Sequence, residues 1–150
     1  MTPQRQSSGI ASVLPKSLVP CLAPRLTDLD LGRNPLHSWG DVVALLGAFP
    51  CLTFLNVSHC PLRVWPLTRA PEPAEAEADP AVHCTSLRTL VLNGTGATWA
   101  DVNRVLVHTP HLLELCLDAN NLSCVQLDTT LPCAASLQTL RFEGNDIRVR

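Results

Sequence analysis

Five times in this chain, leucines or residues that replace them fall at the same relative positions. Leu26, Leu29, Leu31, Asn34 and Leu36 set the spacing. Leu52, Leu55, Val57, Cys60 and Leu62 repeat it, and so do Leu87, Leu90, Leu92, Thr95 and Ala97. Leu112, Leu115, Leu117, Asn120 and Leu122 follow, then Leu137, Leu140, Phe142, Asn145 and Ile147. The starts at 26, 52, 87, 112 and 137 lie 26, 35, 25 and 25 residues apart. A unit of this length cannot bury its own apolar side chains, so units must stack and cover one another.

The pattern is that of a leucine-rich repeat, and the expected fold class is α/β. It predicts a solenoid with parallel strands on the concave face and helices or irregular segments on the convex face. Strands are expected near 28–31, 54–57, 89–92, 114–117 and 139–142. The Asn or Cys after each strand is placed to satisfy backbone groups where the chain turns away from the sheet. A longer period of sixty residues overlies the short one, relating "SWGDVVALLGAFPCLTFLNV" from Ser38 to "TWADVNRVLVHTPHLLELCL" from Thr98. Ser38 with Asp41 and Thr98 with Asp101 are helix-start signals. Val42, Leu45, Leu46 and Phe49 then recur at helical spacing, as do Val102, Val105 and Leu106. Pro50 and Pro110 are expected to end the two helices. The second and fourth units, broken by proline, carry no such pattern, so helical and non-helical units alternate. Trp39 and Trp99 open the helices and are expected to cover the core, with Trp39, nearer the N-terminal end, contributing less.

The domain reading is an N-terminal flank over 1–25, poorly ordered or a partial cap, followed by a repeat domain over 26–150. Within it a mobile acidic insertion is expected over 68–83, rich in Pro and Ala and carrying Glu72, Glu75, Glu77 and Asp79. The chain stops at "FEGNDIRVR", directly after the fifth strand, which suggests a truncated form.

Signatures of catalysis are missing from the sequence. "NGTGATW" is a strand-to-turn glycine pair rather than a phosphate loop, and no C-x-x-C pair occurs. His59–Cys60 and His83–Cys84 are adjacent pairs, which point to opposite faces of an extended chain. Seven cysteines without a secretion signal read as reduced thiols. The chain is therefore read as a non-enzyme with no cofactor or metal. A formal charge of −2 gives no grip on nucleic acid, and no apolar run is long enough for a membrane span. Cytoplasmic localisation, possible association with the cytoskeleton and a monomeric state complete the expectation.

A binding face follows from the register. Residues flanking the central leucine of each strand point away from the core. They are Asp28 and Asp30, Phe54 and Asn56, Thr89 and Val91, Glu114 and Cys116, and Thr139 and Arg141. Asp118, Glu143, Arg33, His59 and Arg88 fall at the edges. An apolar patch of Phe54, Val91 and Cys116 with a polar surround suits a protein partner.

"LTDLDLGRNPLHSWGDVVALLGAFPCLTFLNVSHCPL" and "LVLNGTGATWADVNRVLVHTPHLLELCLDANNL" resemble the leucine-rich region of the tubulin-specific chaperone E family, closer to its cofactor E-like branch. The marks are "LVLN" before a Thr/Ser-Trp-x-x-Val helix start, then a Pro and a "LxELxLxxN" strand. The resemblance covers about residues 26–147 and implies engagement of α-tubulin or the tubulin heterodimer. It also implies a role in tubulin folding or microtubule stability in the cytoplasm. In that family the region lies beside a CAP-Gly domain or a C-terminal ubiquitin-like domain, neither of which is in this sequence. The alternative is a general cytosolic leucine-rich scaffold for another partner, such as a phosphatase or a ciliary protein.

Overall fold

The computed structural model describes residues 19–63, 65 and 83–148. The expected insertion over 68–83 lies outside the described residues apart from His83, as does the flank over 1–18.

Five three-residue strands follow the five leucine units: β1 (Asp28–Asp30), β2 (Phe54–Asn56), β3 (Thr89–Val91), β4 (Glu114–Cys116) and β5 (Thr139–Arg141). They form one parallel sheet in sequence order. Leu29, Leu55, Leu90, Leu115 and Leu140 lie in one line across it. Side chains alternate between faces, so this central line points inward. The three middle members are fully buried. Backbone pairing runs on past the strands, where Leu31, Val57, Leu92 and Leu117 each donate to a carbonyl of the following unit at 2.7–3.0 Å.

After the short N-terminal α1 (Val19–Leu22), two helices cover the inward face: α2 (Trp39–Ala48) and α3 (Trp99–Leu106). Ser38 caps α2 by accepting from the Gly40 N–H, and Thr98 and Asp101 close a reciprocal capping box on α3. Val42, Leu45 and Leu46 from α2 join Val102, Val105 and Leu106 from α3 and the strand leucines in one core. The α3 helix ends at Leu106, four residues before Pro110, because His108 and Thr109 already turn back with N–H bonds to Val105 and Leu106. The fourth unit crosses the inward side through an irregular loop and a 3-10 turn at Pro132–Ala135, which the sequence pattern did not reveal.

Trp65, from the helix-free second unit, joins the two helices. Its ring stacks on Trp39 with centroids 5.8 Å apart and planes inclined by 11°. The Arg104 guanidinium of α3 lies 4.0 Å from the ring centre on Trp65, and the indole N–H donates to Asp101 Oδ1 at 2.7 Å. The second unit thus spans the gap between α2 and α3 with one aromatic side chain. Both tryptophans that open the helices are buried, so burial does not set Trp39 below Trp99. Trp39 is 1% exposed, against 5% for Trp99, whose indole N–H donates to the Cys124 carbonyl.

The turns after the strands hold the stack in register. Asn120 Oδ1 accepts from the N–H groups of Thr95, Gly96 and Ala97 in the preceding unit, at 2.9–3.3 Å. Its Nδ2 donates to the carbonyls of Leu92 and Leu117, both at 2.9 Å. Asn145 repeats the arrangement one unit on, accepting from Asn120 and Leu122 and donating to Leu117 and Phe142. Cys60 keeps half of the device, its Sγ donating to the Leu31 carbonyl at 3.2 Å. One residue before each of these positions the backbone turns left-handed, with φ of 64° at Arg33, 57° at His59, 62° at Gly94, 56° at Ala119 and 68° at Gly144.

Two outcomes follow for stability. Asn120→Ala strands buried backbone donors and acceptors and should lower the unfolding free energy by about 3 kcal/mol or more. At exposed Asn34, which bonds only within its own turn, the same change should lower it by about 1 kcal/mol or less. Urea titrations followed by circular dichroism compare them, and equal losses would contradict the role of the ladder. Trp39→Ala and Trp99→Ala should each cost about 3–5 kcal/mol. A sub-kilocalorie loss at Trp39 would show that its stack with Trp65 does not support the core.

Candidate functional site

The ten candidate residues assemble into two straight rows on the sheet face opposite the core. Asp28, Phe54, Thr89, Glu114 and Thr139 form one row, and Asp30, Asn56, Val91, Cys116 and Arg141 the other. The alternation that buries Leu29, Leu55, Leu90 and Leu115 projects both rows outward. Asp28, Asp30 and Arg141 are exposed, and six of the others are half-buried. Cys116 is the exception. At 8% exposure it adds little to the expected apolar patch, which reduces in practice to Phe54 and Val91.

Polar contacts tie neighbouring rows together. Arg141 Nε pairs with Glu114 Oε1 at 3.0 Å, and Asp30 Oδ1 accepts from Asn56 Nδ2 at 3.0 Å and from the Gly32 N–H at 2.9 Å. Asn93 Oδ1 accepts from the Asp118 N–H, and Asp118 Oδ1 accepts from the Glu143 N–H at 2.6 Å. Burial, and then the neighbouring Glu114 carboxylate, push the Cys116 thiol up from its ordinary pKa. Both effects hold it protonated, the reverse of what activates a cysteine nucleophile. Burial likewise raises Cys60, Cys84 and Cys133.

Other parts of the described surface offer less. An open depression of about 590 Å³ lies at the start of α3, beside Thr98, Asn120, Ser123 and Gln126. Cys124 is its only titratable side chain, so no acid–base pair is held there. Among the described residues no three His, Cys, Asp or Glu side chains gather to hold a metal ion, and no helix is long and apolar enough to cross a membrane. His59 and Arg88 are exposed at the sheet's edges, as is Arg33. The contact of Arg104 with Trp65 is what reading the sequence missed. It joins residues from different units, and no local spacing signals it.

Comparison with known proteins gives a consistent group. The chain is 30% identical over 142 residues to the human tubulin-specific chaperone cofactor E-like protein, an alignment covering 95% of this chain and 31% of that protein. It is 35% identical over 119 residues to human tubulin-specific chaperone E, covering 79% of this chain and 20% of the relative. With tubulin-folding cofactor E of Arabidopsis thaliana it shares 28% identity over 141 residues, covering 93% and 24%. This chain thus spans a third or less of the length of these curated relatives. No family model and no solved structure matches it. Through relatives that align along most of its length, the chain belongs to the tubulin-specific chaperone E and cofactor E-like family.

Proposed function

We propose that this chain is a non-catalytic interaction module, a leucine-rich-repeat solenoid whose concave strand face binds tubulin through its α subunit. In this reading it takes part in tubulin folding or microtubule stability as a cytoplasmic monomer. The observation that carries the proposal is the in-register parallel sheet, which aligns ten outward side chains in two unbroken rows. A rigid array of this kind suits recognition, since its side chains are positioned before the partner arrives. The names of the relatives supply tubulin as the partner class. Phe54 and Val91, half-buried among polar neighbours, are the central apolar anchors.

Titration of labelled αβ-tubulin tests the reading. Phe54→Ala should weaken binding by about 2 kcal/mol, or roughly thirtyfold. Val107→Ala, at an exposed site after α3 and away from the sheet face, should change nothing. Equal losses in two folded variants would move the binding site off the strands, and no binding by the wild-type chain would remove tubulin as its partner.

A further inference from the structure

The rows of the outward sheet face are more acidic than the chain as a whole. One pleat beyond the strands lies a third row: Gly32, Ser58, Asn93, Asp118 and Glu143. With the first two rows it brings together five carboxylates, Asp28, Asp30, Glu114, Asp118 and Glu143, against one guanidinium within the rows, Arg141, with Arg33 and Arg88 exposed at the edges. The whole chain has a formal charge of only −2. Arg141 is already paired with Glu114, and the only other ion pair among the described residues joins Arg148 to Asp146. Asp28, Asp30, Asp118 and Glu143 therefore stand on the face without a cationic partner among the described residues.

Their positions divide the face into three. Asp28 and Asp30 mark the β1 end, Asp118 and Glu143 the β4–β5 end, and half-buried Phe54 and Val91 lie between them on β2 and β3. Adjacent strands are about 4.8 Å apart and the third row lies two to four residues further along them, so the acidic ends are separated by roughly 16–23 Å on the diagonal. An extended peptide advances about 3.3 Å per residue and covers that distance in about five to seven residues.

We propose that this face takes an extended basic segment laid across the strands. One lysine or arginine sits over Asp28 and Asp30, and a second, about five to seven residues away, sits over Asp118 and Glu143. An apolar side chain between them rests on Phe54 and Val91. The inference builds on the reading of this face as a partner-binding surface and specifies the chemistry of the segment it accepts. Charge complementarity selects the segment, and the central contact with Phe54 and Val91 sets its register.

The probe is a fluorescein-labelled peptide with two lysines about five residues apart and two leucines between them, its binding followed by anisotropy at low and high salt. Asp28→Asn with Asp30→Asn should weaken binding about tenfold, as should Asp118→Asn with Glu143→Gln, and both effects should shrink at high salt. The amides retain the oxygen that accepts from Gly32 and Glu143, so the turns remain closed, as circular dichroism can verify. Asp128→Asn, an exposed carboxylate outside the face, should leave affinity unchanged, and a peptide with glutamates replacing the lysines should not bind. Equal weakening by Asp128→Asn, or binding of the glutamate peptide, overturns the proposal. Parallel titrations with tubulin separate the two readings. Tubulin binding that is lost in Phe54→Ala but indifferent to the four carboxylates refutes the basic-segment inference and leaves the tubulin reading intact. Face-specific peptide binding without tubulin binding supports the inference and refutes tubulin as the partner.

Discussion

A parallel sheet of three-residue strands has few hydrogen bonds of its own, and its stack depends on how the turn after each strand is closed. A turn that leaves the sheet exposes backbone N–H groups to an interior without water, where an unpaired donor is costly. Asn120 and Asn145 meet that demand from the following unit, each accepting from the turn before it and donating to carbonyls on both sides. The first two turns use a different solution. Pro35 and Pro61 remove one N–H from each, and Leu36 and Leu62 bond within their own unit, to Asn34 and Cys60, while the Asn34 and Leu36 N–H groups also face the Cys60 sulfur of the next unit. A proline in one unit thus relaxes what the next unit must supply, and Cys60 and Thr95 occupy the positions where asparagine is not required. The dependence also has a direction. Each asparagine closes the turn on its N-terminal side, so losing a unit exposes the turn before it more than the turn after it.

The strands were legible because five units repeat the same leucine spacing, and each observed strand lies within the span that the leucines define. The starts of α2 and α3 were legible because capping is local: Ser38, and Thr98 with Asp101, act within one turn of backbone. The end of α3 was not, since Pro110 sets only a limit and the chain turned back earlier. The left-handed row before the ladder positions was invisible for a different reason. Gly94 and Gly144 suggest it, but Arg33, His59 and Ala119 hold the same conformation without a sequence mark. At Gly94 the requirement has a second source, because an added Cβ would collide with the imidazole of His59 in the neighbouring unit.

The candidate face was legible in part. Alternation along a strand predicts which residues point outward, and the two rows formed as the register required. The reach of the acidic surface was not legible, because Asp118 and Glu143 lie past the strand ends, where alternation along a strand gives them only edge positions. Their inclusion follows from backbone pairing that continues beyond β4, where Leu117 donates to Arg141 and Ala119 to Glu143. The burial of Cys116 was not predicted either, since its outward position is covered by its surroundings on the face.

The sequence contains no tyrosine and three tryptophans, so absorption and emission above the peptide bands come almost wholly from three indoles. Two of them, Trp39 and Trp65, are stacked closely enough for their transitions to couple, while Trp99 stands against a backbone carbonyl in another unit. The near-ultraviolet dichroism of the protein is therefore a local gauge. It reports whether the second unit is seated against both helices, separately from whether the sheet is intact.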